Sequence, residues 1–389
     1  MDLGGVNKNS KNSDKGAQDV VSLVDDLLKT AVRCGASDIH FEPTESELAV
    51  KYRLDGVLGT VEKLPKSLCD NVIARLKVLG GLLTYRNDIP QEGRIEIKEA
   101  KDGVLDQRLA VFPTINGQRA VVRLFYQNKE LTELEQLGFS EGIYTGLKRI
   151  AAQNHGVLLL TGPAGSGKST TLAALLRYIL KHFAGRSIVT LEDPVEIRIE
   201  GVTQTQITPH GQMTFPTALR SLLRQDPQVL MIGEIRDAET ARIGIEAGLT
   251  GHLLMSTMHS GTPAGALLRL LEMGIEAYQV TSSISAVLNQ RLIRKLCNKC
   301  KKKNDKTELF ESIGCEECFN TGFKGRILIA EMVEPDGRLR KAILAKADLE
   351  ELEGILESGG HTNMFADGQR LVCDGLTTEE ELNKVCGIV

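Results

Sequence analysis

The residue run with the clearest chemical signature is Gly162-Pro163-Ala164-Gly165-Ser166-Gly167-Lys168-Ser169, followed by Thr170. It has the spacing of a phosphate-binding P-loop, in which a glycine is followed, after four residues, by Gly-Lys-Ser/Thr. Backbone N–H groups of such a loop surround phosphate oxygens, Lys168 would reach the β- and γ-phosphates, and the Ser169 hydroxyl would ligate Mg²⁺. The sequence therefore predicts a nucleotide site at residues 162–170.

Two carboxylates follow apolar runs further along the chain, and either is a candidate for acting on the attacking water. Glu192 ends the first run, and Glu234 follows Val229–Gly233. Ligands of open α/β sheets bind at the carboxyl ends of the strands, so both side chains should face the nucleotide. Gly233 occupies the place where an acidic Mg²⁺ partner would be expected. The residues alone leave Glu234 and Glu192 in competition for orienting or deprotonating the water.

A histidine stands on either side of the short apolar run Leu253–Ser256. His259 lies beyond its C-terminal end, where an imidazole can sense a γ-phosphate by hydrogen bonding, and His252 lies before it. His259 is the better placed of the two. From the residues alone, two structural histidines are the favoured interpretation.

Four cysteines have the spacing of a metal site. Cys297-x-x-Cys300 and Cys315-x-x-Cys318 are separated by 14 residues, as in tetrahedral four-thiolate Zn²⁺ sites. No open coordination position is suggested, so the predicted metal is structural and would allow a small knuckle to fold without a core of its own. The other four cysteines show no such spacing and are interpreted as packing residues.

The elements that must position these groups fall into two regions. A β-rich region follows a helix at 20–32, and it contains a tight turn at Asp55-Gly56 and a helix at 67–79. Further along, apolar strands at 157–161, 187–191, 229–233 and 253–256 alternate with helices, which indicates a mostly parallel sheet covered on both faces. Helices are expected from about residue 339, with a capping signal at Thr377-Thr378-Glu379-Glu380.

The first region displays arginines on a strand face that is not its core. In the run 119–125, Arg119 and Arg123 alternate with apolar residues, and Arg108 has the same relation to its neighbours in the run 105–111. One interpretation is a merely solvated face. The other is a set of guanidiniums, Arg53 included, offered to a phosphate that another domain or subunit holds.

Composition narrows the possible classes. The chain has 389 residues, a charged share of 25% and a net charge of −4, so it lacks the overall basic field expected of a nucleic-acid translocase. No apolar run approaches 18 residues, so neither a membrane span nor a signal peptide is predicted. The expected location is therefore, by default, the cytoplasm. The expected organisation is a disordered tail at 1–16, a first domain at 17–126, a linker at 127–142 and a second domain at 143–389 that includes the knuckle at 297–318.

At this point a family becomes recognisable, because several motifs occur together and in order. The chain resembles the type II secretion / type IV pilus assembly ATPases over residues 37–385. Besides the P-loop and the histidine segment, the matching stretches are Ser37–Pro43, Arg53–Gly56, Pro90–Arg94, Leu191–Glu196, Leu222–Pro227 and Gly233–Asp237. In this family a glycine before the Glu234 position is the norm.

The resemblance implies a PAS-like N-terminal α/β domain joined flexibly to a RecA-like ATPase domain. Arg108 and Arg123 stand where the family carries arginines that reach the nucleotide from the N-terminal domain, and the cysteine knuckle resembles that of secretion and pilus-extension members. The implied protein is a Mg²⁺-dependent, cytoplasmic homohexameric ATPase. It would be attached peripherally to the inner membrane through a platform protein and other secretion or pilus components, with no nucleic acid expected.

Some residues depart from the family pattern. Gln228 replaces an aspartate, Gln118 replaces a glutamate, Lys51 replaces an arginine, and Ser260-Gly261-Thr262 replaces Thr-Asn-Asp. Three alternatives to a secretion or pilus-assembly motor stay open at this point. They are a pilus-retraction or DNA-uptake motor, a nucleic-acid translocase with a RecA-like core, and a non-catalytic nucleotide-binding subunit.

Overall fold

The structure, a computed structural model, describes residues 18–96, 104–126, 132–207 and 213–387. The chain divides into two compact units. Unit 1 comprises the chain up to Lys129 together with Leu296–Lys302 and Glu311–Gly325, and unit 2 comprises Glu130–Lys295, Lys303–Phe310 and Arg326–Val389. The predicted tail at 1–16 lies outside the described residues.

Unit 1 contains a six-stranded antiparallel sheet with strand order β3-β2-β1-β6-β5-β4. Two helices, α1 (Gln18–Arg33) and α2 (Cys69–Leu79), share an apolar core with the sheet. The strands are β1 (Asp38–Pro43), β2 (Glu47–Leu54), β3 (Val57–Pro65), β4 (Gln91–Arg94), β5 (Val104–Thr114) and β6 (Gly117–Tyr126). The predicted helices and alternating strands are confirmed, whereas the assignment to a PAS-like fold stays a prediction.

The predicted two-residue turn at Asp55-Gly56 joins β2 to β3. Leu54 pairs with Val57, and Asp55 and Gly56 have φ angles of +47° and +88°. Both angles are left-handed, as the tight turn between twisted antiparallel strands requires. The Asp55 carboxylate also accepts a hydrogen bond of 2.8 Å from the Gly325 backbone N–H, within unit 1.

Unit 2 is built on a seven-stranded sheet with strand order β15-β12-β7-β11-β10-β8-β9. All neighbours from β12 to β9 are parallel. The strands are β7 (Gly156–Thr161), β8 (Ile188–Glu192), β9 (Thr203–Gln206), β10 (Val229–Ile232), β11 (Leu253–Met258), β12 (Ile284–Leu296) and β15 (Phe323–Val333); a short separate pair is formed by β13 (Lys302–Lys303) and β14 (Phe310–Glu311). The four predicted strands are the central ones, and β9, β12 and β15 were not predicted.

Both faces of this sheet are covered, as expected. Along β7, Val157 and Leu159 join one apolar cluster, and Leu158 and Leu160 join another. Successive side chains of a strand point to opposite faces, so two separate cores flank the sheet. The helices of this unit are α3 (Glu141–Ala151), α4 (Lys168–His182), α5 (Phe215–Leu222), α6 (Ala238–Leu249), α7 (Pro263–Glu272), α8 (Ala277–Ser283), α9 (Gly337–Leu344), α10 (Leu349–Ser358), α11 (Met364–Cys373) and α12 (Glu379–Cys386).

The C-terminal region is helical as predicted, and the capping signal before α12 is confirmed. The Thr378 hydroxyl accepts a hydrogen bond of 3.2 Å from the Glu381 backbone N–H, which satisfies one of the free donors of the first turn. Of the predicted linker, residues 127–131 lie outside the described residues, and Leu134 is buried in the core of unit 2. Among the described helices, none is long and apolar enough to cross a membrane.

Candidate functional site

The P-loop segment connects β7 to α4, the strand–loop–helix arrangement that its spacing predicts. The loop needs glycine at its first position, because a Cβ on Gly162 would lie 2.2 Å from the Gln290 carbonyl oxygen. Gly162, Gly165 and Gly167 all have positive φ angles. The loop therefore turns sharply enough to present N–H groups ahead of the N-terminus of α4, where a phosphate is electrostatically favoured.

Lys168 is the first residue of α4, and its side chain folds back over the loop. Its ammonium donates to the carbonyl oxygens of Gly162 at 2.8 Å and Pro163 at 2.9 Å. Burial lowers the pKa of Lys168, although the charges of Glu234 and Glu196 act in the opposite direction. Because carbonyls do not neutralise the ammonium, its charge stays available to an incoming phosphate. Ser169, the predicted Mg²⁺ ligand, is exposed next to it.

The predicted groups of unit 2 meet in one cavity of about 250 Å³. The elements around it are the P-loop, the C-terminal ends of β8, β10 and β11, and the start of α5. The predicted site residues that line it are Ala164, Gly165, Lys168, Ser169, Glu192, Glu234 and His259. The cavity thus lies at the carboxyl edge of a parallel sheet, as the rule for open α/β folds anticipates.

Glu234 stands between two side chains that can carry positive charge. Its carboxylate is 2.8 Å from Arg236 Nε and 3.2 Å from His259 Nε2. The segment is fixed to β11, because Ile235 N–H donates to the Thr257 carbonyl at 2.9 Å and the Thr257 hydroxyl donates to the Gly233 carbonyl at 2.7 Å. Arg236 is a neighbour that sequence reasoning did not assign to the site, although its two-residue spacing from Glu234 is a usable signal.

Glu192 is held more tightly, at the last position of β8. One carboxylate oxygen accepts from the Thr190 hydroxyl at 2.6 Å and from Gln204 Nε2 at 3.0 Å, and the residue is 8% exposed. Thr190 is two residues earlier on the same strand and hence on the same face. Gln204 comes from β9, which was not predicted, so its contact was missed. Glu192 is therefore anchored by internal donors, whereas Glu234 is more open to the cavity.

The glycine before Glu234 has a steric cause. A Cβ on Gly233 would lie 3.3 Å from the Leu191 carbonyl oxygen and 3.4 Å from Glu192 Cα. Its own N–H donates to that same carbonyl at 2.7 Å. The ends of β8 and β10 therefore approach closely at this point, and a side chain at position 233 would require the Leu191 carbonyl to move by a few tenths of an ångström.

The structure also locates the departures from the family pattern in unit 2. Gln228 precedes β10, at the end opposite the cavity, and its side-chain amide oxygen Oε1 accepts from the Ser187 N–H at 2.6 Å. Its role is to join strands, so its effect on chemistry at the site is indirect. Beyond His259, the Thr262 hydroxyl caps α7 by accepting from Gly265 N–H at 3.1 Å, and the Ser260 hydroxyl donates to the Thr262 carbonyl at 2.9 Å.

Arg108 and Arg123 lie in unit 1 on one face of the sheet, paired across β5 and β6. Arg123 Nε is 2.9 Å from Asp38 Oδ1, and Arg53 Nε is 3.4 Å from Asp38 Oδ2. The Arg108 guanidinium lies 4.7 Å from the centre of the Phe125 ring. More than half of the side-chain surface is exposed for both Arg108 and Arg123, so the predicted arginine face exists and is open.

The same face repeats this arrangement four residues further along β1, at Glu42. Glu42 contacts both Lys51 and Arg119, the latter at 2.9 Å. Burial, together with Arg119 and Arg53, lowers the pKa of His40, which favours its neutral form. Each of the two partly buried carboxylates, Asp38 and Glu42, is thus shared by two cations, and this part of the face keeps a net positive charge.

The four cysteines come together as predicted. Their sulfur atoms lie within 4.8 Å of one another, with Cys297–Cys315 at 3.9 Å and Cys300–Cys318 at 3.7 Å. These distances are too long for disulfides. They match the separation of about 3.8 Å between sulfurs bound tetrahedrally to Zn²⁺ at 2.3 Å. Backbone N–H groups of Cys315 and Gly322 donate to the Cys318 sulfur at 3.2 and 3.3 Å, as expected around a thiolate. The donor set therefore fits zinc.

Comparison with known proteins adds sequence relatives to this geometry. The chain is 39% identical over 377 residues to the type IV pilus assembly ATPase PilB of Thermus thermophilus, and the match covers 92% of this chain but only 42% of that protein. It is 39% identical over 381 residues to the type II secretion system ATPase E of Vibrio cholerae, covering 94% of this chain and 75% of that protein.

Solved structures support the fold. The Legionella pneumophila ATPase DotB matches with a TM-score of 0.69 and 20% identity, and the match covers 100% of both chains. The pilus retraction motor PilT with bound ADP matches with a TM-score of 0.60 and 24% identity, covering 92% of this chain and 96% of that one. Residues 13–384 match the family described as Type II/IV secretion system protein. On this match and on the identities above, the chain belongs to the type II/IV secretion system protein family.

Proposed function

We propose that this chain is a Mg²⁺-dependent ATPase that powers type II secretion or type IV pilus assembly. The single observation that carries the proposal is the cavity in which Lys168 and Ser169 of the P-loop meet Glu234 and His259. A lysine, a hydroxyl, a carboxylate and an imidazole in one cleft can bind phosphates and orient water. Membership of the type II/IV secretion system protein family supports secretion or pilus assembly as the process that this chemistry powers.

Within the cavity, the roles follow from the contacts. Lys168 and the N–H groups of the loop hold the β- and γ-phosphates, and the Ser169 hydroxyl helps to hold Mg²⁺, which would neutralise phosphate charge. Glu234 orients the attacking water, since its carboxylate is the more open one, and Glu192 is the second candidate. His259, 3.2 Å from Glu234, would report the state of the γ-phosphate.

The arginine face of unit 1 is also assigned a role in turnover. Arg108 and Arg123 are exposed, and Asp38 holds Arg123 in place, as a guanidinium that must meet a phosphate should be. The family resemblance supplies the expectation that they reach a nucleotide. In that scheme, ATP binding draws domains together and hydrolysis releases them. Arg53 and Arg119 are not included in this proposal.

The finer biological setting is also part of the proposal. We infer a homohexamer that works in the cytoplasm against an inner-membrane platform protein and moves pilin-like subunits. Support comes from relatives that are named as type II secretion and type IV pilus assembly ATPases. A pilus-retraction or DNA-uptake motor is the alternative within the same class. Co-purification with the cytoplasmic domain of a secretion or pilus platform protein would test the setting.

The cysteine cluster is proposed to hold one structural Zn²⁺. Metal analysis of the purified chain by inductively coupled plasma spectrometry should find about one zinc per chain, and Cys297→Ser should lower that content. The Cys386→Ser variant, which changes a cysteine outside the cluster, is the matched control. Chelation should destabilise the knuckle without directly blocking nucleotide binding. An unmodified chain that contains no zinc would refute the site.

The activity itself is tested by phosphate release from ATP. The purified chain should hydrolyse ATP only when Mg²⁺ is present. Nucleotide binding without turnover would favour a non-catalytic assembly subunit. A strong stimulation by added DNA would favour the translocase alternative, which the net charge of −4 makes less suitable.

A further inference from the structure

Two consecutive polar residues of β12 contact loops of the nucleotide cavity without lining it, and they have no part in the proposed chemistry. Asn289 and Gln290 are 1% and 0% exposed. Asn289 pairs in register with Thr161, the last residue of β7 before the P-loop. Burying an amide is costly unless its hydrogen bonds are made. Both amide oxygens are buried without a hydrogen-bond partner among the described residues, so the partners of the two NH₂ groups indicate what these side chains do.

The partners are the two loops of the site. Gln290 Nε2 donates to the Ser166 carbonyl of the P-loop at 2.8 Å. Asn289 Nδ2 donates to the Gly261 carbonyl at 2.9 Å, two residues beyond His259. Neighbouring side chains of one strand therefore fix the phosphate-binding loop and the histidine loop separately.

Asn289 also reaches away from the site, towards the C-terminal helices. Its Nδ2 donates to Glu331 Oε1 at 2.8 Å, and Glu331 Oε2 accepts from the Met364 N–H at 3.2 Å. Met364 is the first residue of α11, so a buried carboxylate on β15 accepts from the first N–H group of that helix, next to its N-cap residue Asn363. A continuous path of hydrogen bonds runs from Gly261 through Asn289 and Glu331 to the start of α11.

The donors and acceptors along this path fix the orientation of the Asn289 amide. A backbone carbonyl and a carboxylate only accept hydrogen bonds, so the Asn289 amide must turn its NH₂ group to both. The other end of the histidine loop is held as well, because Arg269 donates to the His259 carbonyl at 3.2 Å. The His259–Gly261 loop is therefore held at two of its carbonyls, and the amide that holds the Gly261 carbonyl also donates to the Glu331 carboxylate.

We propose that Asn289 and Glu331 are positioning residues that link the His259–Gly261 loop to the N-terminus of α11. Through them, the loop is held in place for turnover, and a change at His259 is conveyed to the C-terminal helices. The inference rests on the proposed function, because it takes the occupant of the cavity to be ATP.

The first test is the isosteric variant Asn289→Asp, which places an acceptor against two acceptors. The kcat for ATP should fall about tenfold, within the usual range of coupling effects. The KM and the nucleotide affinity should stay within about twofold, because Gln290 still holds the P-loop. The matched variant Gln290→Glu should show the reverse pattern, with weakened nucleotide binding. A loss of affinity in Asn289→Asp equal to that of Gln290→Glu would overturn the assignment.

A second variant separates positioning from stability. Combining Asn289→Asp with Glu331→Gln restores one donor between the two residues and the original net charge, but it still leaves an acceptor facing Gly261. The thermal midpoint should recover while kcat stays low. Recovery of kcat together with stability would show that Asn289 only packs against Glu331, and it would overturn the proposal.

A third measurement needs no turnover. The chain contains no tryptophan, so Phe365→Trp places a single reporter on α11. A non-hydrolysable ATP analogue with Mg²⁺ should shift its emission, and Asn289→Asp in the reporter chain should remove the shift. The coupling is contradicted if the reporter chain shows no shift at saturating analogue. It is also contradicted if Asn289→Asp leaves the shift unchanged. A chain that binds no nucleotide would instead overturn the proposed function and, with it, this inference.

Discussion

The nucleotide cavity of unit 2 and the charged strand face of unit 1 hold their cations in opposite ways. In the cavity, Lys168 donates to two backbone carbonyls, which leave its charge unneutralised. On the face, Asp38 is shared by two arginines, and Glu42 is shared by Lys51 and Arg119. The cavity leaves the charge of its lysine available to an anion, whereas the face fixes the directions of its cations beforehand and contains more cations than carboxylates.

The two regions also differ in how their residues come together. The cavity draws on short contiguous motifs at strand ends, so sequence spacing alone indicates most of it. The face depends on which strands are neighbours, since Asp38 meets Arg123 only through the pairing of β1 with β6. A binding group in a loop can therefore be recognised locally, while a preoriented charge on a sheet needs the topology.

The largest effect should come from removing the uncancelled charge in the cavity. Lys168→Ala should reduce Mg-ATP turnover to less than about a thousandth, because the phosphates lose their main cation. Lys181→Ala is the matched control, as it removes an exposed lysine from the last turn of the same helix. Phosphate release measures both. Retained activity in Lys168→Ala would show that the cavity is not the site of hydrolysis.

The next effect distinguishes the two carboxylates of the cavity. Glu234→Gln should lower kcat about 10³-fold, since it removes the base that is open to water. Glu192→Gln should lower it less, because Glu192 already accepts from Thr190 and Gln204. Single-turnover rates at saturating ATP compare the variants without interference from binding. The opposite ranking would assign the water to Glu192.

A smaller loss is expected on the strand face. Arg123→Ala should lower kcat by about 10²-fold if its guanidinium stabilises the transferred phosphate. Arg119→Ala, on the same face of the same strand, should change kcat by less than about threefold. Equal effects of the two changes would mean that the face acts only through its net charge, and no effect of either would remove it from the mechanism.

The smallest effect concerns how the face is held. Although burial opposes it, the hydrogen bond from Arg123 and the nearby charges lower the pKa of Asp38. A carboxyl whose pKa is lower in the folded state stabilises the fold above its unfolded-state pKa, near 4, and loses that contribution as the pH falls through the folded-state pKa. Asp38→Asn should therefore cost about 1 kcal/mol at pH 7 and less near pH 3.

Chemical unfolding at both pH values measures this difference. Ser37→Ala is a useful comparison. The Ser37 hydroxyl donates to Asp38 at 2.9 Å, so this substitution removes one hydrogen bond but leaves the carboxylate in place. If Asp38→Asn costs the same at pH 3 as at pH 7, the ionised carboxylate does not stabilise the face.

Much of unit 2 was predictable because its central strands are uniformly apolar and its P-loop is contiguous. The strand β12 was not predicted, since Asn289, Gln290 and Arg291 interrupt its apolar run. The NH₂ groups of Asn289 and Gln290 find acceptors in two loops and a carboxylate, and Arg291 donates to the Val385 carbonyl. None of these partners is visible from the local sequence. The contacts of Glu192 were missed for a related reason. Gln204 belongs to the short polar strand β9, and nothing in its sequence pattern indicates that it pairs with β8.

The glycine at position 233 has a consequence for how this site can change. The pattern with an acidic residue before Glu234 differs by one substitution in sequence, yet an added Cβ would lie 3.3 Å from the Leu191 carbonyl and 3.4 Å from Glu192 Cα. A Cβ at that distance requires the Leu191 carbonyl to move by a few tenths of an ångström, at the point where Glu192 and Glu234 project. Aspartate at position 233 would therefore add a carboxylate while shifting the backbone that carries both candidate bases, so the effect of this single substitution depends on how far the end of β8 can yield.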